Sequence, residues 1–351
     1  MERMRFATLV CAAAVLPVIG VDAAPIPSAQ LVIDAVMNVA TDVSASAGQT
    51  PYNPRSAGGE NYGLAITTPG FARYPIASGT PTVVYANNAV PAPLESRMIL
   101  PFKGANATTY VLGAGGSGFQ RLDYSTLGNA VTGQAAATVP TSFDWVDNDT
   151  IIYSSDGGGN LRKSLFLADV TANAFAVTAN TTWNASGNVL TPAATRIRNV
   201  RVGDVYNGYA YFGDAGIAGT PKFWAIDLAT GATTELGSIT TTGSGSFGLW
   251  TVKEAGGYLY VHTTDDGINV YSMNSATSLG SLVEDYTKAE INALLATVGI
   301  TGNQNWGFDV VDGGARMLLT AGPGQVVEII PEPASLGLLG LAGLAMIRRR
   351  K

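Results

Sequence analysis

One cysteine, Cys11, and one histidine, His262, are all that the chain has of either residue. No intramolecular disulfide can form, and thiolate and paired-imidazole metal sites are excluded along with cysteine catalysis. Charge is also scarce. Asp, Glu, Lys and Arg make up 13% of the chain, and no run of Lys or Arg occurs before residue 348. A phosphate backbone demands a basic footprint, so with 26 acidic against 20 basic residues nucleic acid is excluded as a partner. So few charges also fit a helix-rich cytosolic enzyme poorly. Glycine is abundant instead, at 42 of 351 residues. The length is enough for one large domain or two ordinary ones.

The first 23 residues have the parts of a secretory signal: Arg3 and Arg5, an apolar stretch from Phe6 to Gly20, and Val21-Asp22-Ala23 with small side chains at the third and first places before a cut. Cleavage is expected after Ala23, because cutting after Ala24 would set Pro25 beside the scissile bond. The apolar stretch is shorter than the ~20 residues of a membrane-spanning helix. Thr8-Leu9-Val10 lacks the small residue that precedes a lipidated cysteine, so Cys11 is not a lipid anchor. Cleavage removes it and leaves an exported chain with no thiol.

At the other end stand Pro331-Glu332-Pro333, then Ala334 to Ile347 without a charge, then Arg348-Arg349-Arg350-Lys351. At ~1.5 Å per residue the uncharged stretch makes a helix of ~21 Å, against a hydrocarbon core of ~30 Å. It is too short for a comfortable permanent span. The terminal cations hold its end at the cytoplasmic face, and the prolines end the helix on the far side. This arrangement resembles a PEP-CTERM sorting signal, whose tripeptide, short Gly- and Leu-rich helix and terminal Arg cluster are read together by an exosortase, a membrane transpeptidase-like enzyme of Gram-negative bacteria. The resemblance covers residues 331–351 alone. It implies export with signal peptidase and exosortase as processing partners, a transient inner-membrane anchor through the C-terminal transmembrane helix, and a final place on the outer surface or in the extracellular matrix. The sorting residues it marks are Pro331, Glu332, Pro333, Arg348, Arg349 and Arg350. The chain therefore divides into a signal peptide (1–23), an exported body (24–330) and a sorting signal (331–351). Without the neutral signal peptide and the four terminal cations, a net charge of −6 becomes −10. Such a body repels polyanions.

Within the body, short apolar runs begin at Thr150, Tyr209, Tyr258 and Arg316. Each follows an alternating segment, as at Phe143-Asp144-Trp145-Val146 or Leu249-Trp250-Thr251-Val252. Most precede a further strand-like run, as at Phe166 to Val170, Phe223 to Leu228 and Ile268 to Met273, with an earlier copy at Arg121 to Tyr124. Asp123, Asp169, Asp227 and Ser272 occupy matching places in those copies. Strands of this length, with turn signals between them and a period of ~45 to 60 residues, fit blades of four antiparallel strands. The body thus resembles a β-propeller of the kind with an Ile-Asp-x-x-Thr-Gly hairpin, here Ile226 to Gly231, and has room for about six or seven blades. The expected class is all-β, with a β-sandwich as the alternative. Trp145, Trp224, Trp250 and Trp306 are expected to fill between sheets. One helix is expected around Lys288 to Ala296, opened by a capping box at Thr287 and Glu290 and striped by Ile291, Leu294 and Leu295.

Chemistry is sparse. Gly113-Ala114-Gly115-Gly116-Ser117-Gly118 satisfies G-x-G-x-x-G, but Phe119 to Tyr124 reads as a strand where a dinucleotide site needs a helix, so the motif is a glycine-rich hairpin turn. Serine hydrolysis would have to run through His262, which lies in the strand-like Tyr258 to His262 and reads as structural. Asp147-Asn148-Asp149, Asp156 to Asn160 and Asp265-Asp266-Gly267 are oxygen-rich but lack the EF-hand order; Asx turns account for them, with calcium the alternative. No catalytic, cofactor-binding or metal residue is assigned, and no cofactor is expected. The sequence points to an exported, surface-sorted, non-catalytic matrix or cell-surface component with polysaccharide or matrix proteins as partners. The alternative is a secreted carbohydrate-active hydrolase acting through paired carboxylates.

Overall fold

The computed structural model describes residues 25–43, 55–57, 60–65, 70–85, 98–101, 110–115, 118–123, 130–132, 139–146, 150–156, 164–169, 176–178, 200–214, 222–239, 249–263, 267–301, 307–322 and 324–332. Strand β1 (Leu31–Met37) opens the body and runs into a one-turn helix α1 (Val39–Asp42). Five groups of four strands follow. The first is β2 (Arg55–Ala57), β3 (Glu60–Ala65), β4 (Gly70–Pro75) and β5 (Val83–Tyr85); the second is β6 (Met98–Pro101), β7 (Tyr110–Gly115), β8 (Gly118–Asp123) and β9 (Ala130–Thr132). The third is β10 (Val139–Trp145), β11 (Thr150–Asp156), β12 (Ser164–Asp169) and β13 (Ala176–Thr178); the fourth is β14 (Val200–Tyr206), β15 (Tyr209–Asp214), β16 (Lys222–Asp227) and β17 (Thr233–Ser238). The fifth is β18 (Leu249–Ala255), β19 (Tyr258–Thr263), β20 (Gly267–Ser275) and β21 (Ser278–Thr287), followed by helix α2 (Lys288–Ala296). The chain ends in β22 (Phe308–Val311), β23 (Arg316–Ala321) and β24 (Gln325–Pro331).

Each group is one antiparallel four-stranded sheet in sequence order, and the last three strands are completed to four by β1, in the order β1-β24-β23-β22. The protein is therefore all-β and antiparallel. First strands of successive sheets touch one another from β2 to β6, β10, β14, β18 and β22, and β22 also touches β2.

The turns explain why adjacent strands pair. Asn207 and Gly208 connect β14 to β15 with φ of 48° and 78°, the left-handed pair that a two-residue hairpin needs. Asp227 ends β16 and accepts from the N–H groups of Ala229 and Thr230, closing the turn of the Ile-Asp-x-x-Thr-Gly segment. The matching places proposed from sequence coincide in register. Asp123, Asp169, Asp227 and Ser272 each face the first residue of the preceding strand, namely Tyr110, Thr150, Tyr209 and Tyr258.

The core is a series of layers between neighbouring sheets. Ile152 of the third sheet packs with Ala210, Phe212, Trp224 and Ile226 of the fourth. Tyr211, Phe223 and Ala225 pack with Val252, Leu259 and Val261 of the fifth. Tyr260, Val270 and Tyr286 meet Phe308, Met317, Leu319 and Ile329 of the last sheet, and helix α2 seals this layer with Ile291 and Leu295. Met37, Val39 and Val43 join Leu318 and Val326 to Ala72 and Tyr74 of the first sheet.

Trp224 is buried, as expected. The Trp145 and Trp250 side chains and all of Trp306 lie outside the described residues. Helix α2 spans the residues expected of it, with Thr287 accepting from the Glu290 N–H and the Glu290 carboxylate accepting from the Thr287 N–H. Of the G-x-G-x-x-G segment, Gly115 at the end of β7 faces Gly118 at the start of β8, and β8 runs on from there as a strand; Gly116 and Ser117 lie outside the described residues.

Candidate functional site

Of the sorting residues, Pro331 and Glu332 are described; Pro333, Arg348, Arg349, Arg350 and the signal-cleavage residue Ala23 lie outside. Among the described residues no helix is long and apolar enough to cross a membrane. Pro331 is the last residue of β24, so the boundary drawn between 330 and 331 falls inside a strand. Leu31 of β1 faces Pro331, and one step on the Glu332 N–H donates to the Gln30 carbonyl at 2.7 Å. Antiparallel ladders alternate bonded and non-bonded pairs, so Pro331 stands at a non-bonded place where its missing N–H costs nothing. The segment before β1 is anchored too. The Ile26 side chain is buried and its carbonyl accepts from the Tyr286 hydroxyl at 2.6 Å.

A run of polar groups, all buried but the half-buried Asp204, ties sheet to sheet through their first strands. Asp144 of β10 accepts from the Val205 N–H on β14 at 3.0 Å, and Asp204 of β14 accepts from the Glu254 N–H on β18 at 2.9 Å. Lys253, at the matching place in β18, pairs with Asp309 of β22 at 3.7 Å, both side chains being buried. These four residues share one register, opposite Ile152, Tyr211, Tyr260 and Leu318. Sequence reasoning missed them: three are acids and one is Lys253, and their distance in sequence from the apolar run that follows varies, so only the ladder register aligns them.

The last and first sheets are joined by a denser knot. The Glu328 carboxylate, fully buried, accepts from Arg316 Nη1 at 2.9 Å, from Asn61 Nδ2 at 2.7 Å and from the Ala77 N–H at 2.9 Å. Arg316 Nη1 also donates to Asn61 Oδ1, and Arg316 Nε to Asp312. Burial works against the guanidinium charge, but hydrogen bonds from Arg316 to Asp312 and Glu328 outweigh it and raise its pKa.

His262 is fully buried on β19, edge-on to Phe308 with ring centres 5.4 Å apart, and neither ring nitrogen has a hydrogen-bond partner among the described residues. Burial alone pushes its pKa down to about 3. The imidazole is neutral and sealed off. The Asp147 to Asp149 segment, Gly157 to Asn160 and Asp265-Asp266 lie outside the described residues, and no group of three or more metal-binding side chains occurs among the described ones.

An open cleft of about 250 Å³ lies between the hairpin ends of the fourth and fifth sheets. It is lined by Tyr206 and Asn207 from the β14–β15 hairpin, by Met273 and Ser275 from the end of β20, and by Tyr211 and Glu254. The Tyr211 hydroxyl donates to the Ala276 carbonyl at 3.2 Å, and Glu254 accepts from the Gly257 N–H at 3.0 Å, which fixes both against the hairpin turns. Tyr206 is 45% exposed. Amide, hydroxyl and carboxylate side chains thus line the same cleft as an exposed aromatic ring. Sequence reasoning missed this cleft, since Tyr206 and Ser275 come together only when two sheets pack.

No curated protein matches the sequence. Among solved structures the chain is similar to that described as "Structure of U3-55K", with 8% identity and a TM-score of 0.52, over 87% of this chain and 99% of that one. It also matches the computationally designed Ika8 protein, with 10% identity and a TM-score of 0.48, over 85% of this chain and 99% of that one. Likeness at such identity speaks to fold alone. The PEP-CTERM protein-sorting motif matches residues 330–351. The chain thus ends in a PEP-CTERM sorting motif and is an exosortase substrate, exported and sorted to the cell surface.

Proposed function

We propose that the exported body is a six-bladed β-propeller that serves at the cell surface as a non-catalytic binding component, with the cleft between its fourth and fifth sheets taking a neutral sugar of a surface or matrix polysaccharide. The propeller reading is supported by six four-stranded sheets whose first strands touch in succession, with β22 reaching back to β2, and by β1 supplying the outer strand of the last sheet. A binding role rather than turnover is supported by His262, the sole imidazole, which is buried and held neutral and so is no general base for a substrate at the surface.

The observation that carries the ligand class is Tyr206. An exposed phenol ring offers a flat apolar face to the C–H side of a sugar ring, and its hydroxyl rim finds Asn207, Ser275 and Glu254 within the same cleft. The acidic body disfavours anionic polymers. The test is retention of the purified body on a panel of neutral and acidic polysaccharides, with Tyr206→Ala as control. Retention on a neutral glycan that falls about tenfold in the variant is expected. Retention indifferent to Tyr206 would remove the cleft from the reading, and released product that a single carboxylate substitution abolishes would replace binding by hydrolysis.

A further inference from the structure

The sorting motif and the fold overlap by three residues, Ile330 to Glu332, and those three are held by the opposite end of the chain. Through Ile329, strand β24 is paired on both edges, by β23 and by β1; beyond it Ile330 and Pro331 are paired by β1 alone, and Glu332 by Gln30. Processing enzymes that act on peptides bind them as extended strands, backbone to backbone. A segment already paired in a sheet is not open to that, and β1 is not loosely attached. Ala35 and Met37 are buried, and Leu31, Ile33 and Val36 pack on the core layer beneath α2. The Ile26 anchor and the contact of Gly79 with the Val36 carbonyl, where an added Cβ would come within 2.5 Å, hold it from either side.

We propose that β1 is part of the sorting site: by pairing with β24 it keeps Pro331 and Glu332 within the folded body, so that the exosortase cuts C-terminal to Glu332 without opening the sheet. The broken bond is a peptide bond whose carbonyl carbon stays with the body. That acyl group passes to water or to a host acceptor bearing a hydroxyl or amine, and the tail leaves with the new amino terminus. Gln30 to Ile33 act as positioning residues that set the boundary, and processing follows completion of the last sheet. The proposal rests on the sorting reading and adds the place of the cut and its dependence on the fold.

The exported chain has no cysteine of its own, so Ile33→Cys with Ile329→Cys introduces a single possible disulfide, at a facing pair in a non-bonded position where side chains approach most closely. Intact masses of surface material from a host with the sorting enzyme are compared for wild type, for this variant with the bridge closed, and for Val32→Pro, which removes a ladder N–H from β1. Expected are a wild-type C-terminus at Glu332 or later, the same terminus at a similar yield (within about twofold) in the bridged variant, and additional, earlier termini in Val32→Pro. A wild-type terminus at Pro331 or before, or a bridged chain that keeps its tail while its reduced form is processed, overturns the proposal. If the bridged variant fails to fold, the wild-type terminus decides alone. A wild-type chain that still carries Arg348 to Lys351 removes the sorting reading itself and the proposal with it.

Discussion

His262 shows how an unfavourable residue can be read from its surroundings. Among the described residues its two nitrogens have no hydrogen-bond partner, and its ring lies edge-on to Phe308. The unfolded chain protonates this imidazole near its ordinary value of 6.5, whereas the folded chain resists until about 3. Between those values the unfolded state binds more protons, so this residue makes stability fall as pH falls, by up to about 1.4 kcal/mol per pH unit. Replacing it by Phe or Leu leaves no buried donor or acceptor unsatisfied. His262→Leu is expected to cost little at pH 7 and to flatten the loss of stability between pH 6 and 4, as read from urea midpoints. A variant whose acid limb matches wild type would show that other groups dominate there.

At the scale of the element, the knot at Glu328 joins strands that are far apart in sequence. Removing that carboxylate leaves a buried guanidinium, an amide and a backbone N–H without their shared acceptor, which costs on the order of 3–5 kcal/mol. Glu328→Ala should therefore shift the unfolding midpoint strongly. Asp312 reaches the same guanidinium from solvent, with its side chain 62% exposed, so Asp312→Ala should cost no more than about 1 kcal/mol. Equal effects of the two substitutions would contradict the geometry. The contrast also marks where sequence reasoning stopped. The strands at Thr150, Tyr209, Tyr258 and Arg316 announced themselves by local alternation of apolar residues, and α2 by a four-residue capping pattern. Nothing local marks Glu328 as the partner of Asn61, 267 positions away, or Tyr206 as lining one cleft with Ser275. Such pairs are fixed by the packing of sheets, and a sequence period gives the sheets without giving their faces.

For the whole molecule, the least legible element is the one on which completion depends. Strand β1 lies ahead of the first group of four strands, and its ladder partner lies some three hundred residues later, with Leu31 opposite Pro331. Forming that pair brings the two ends of the body together, and loop closure over such a length costs only slightly more than over a shorter one. The gain is the burial of Ala35 and Met37 and the covering of the β24 edge, which would otherwise offer a row of free backbone groups to another chain. A body lacking residues 24–37 should then lose several kcal/mol, which at about 2–4 °C per kcal/mol lowers its melting midpoint by roughly 10 °C, and it should self-associate through the exposed strand. Adding a peptide of residues 26–37 in trans should restore both the midpoint and the monomer. Calorimetry with light scattering checks this: a truncated body that melts and remains monomeric like the full one would mean that β1 decorates the last sheet without completing it.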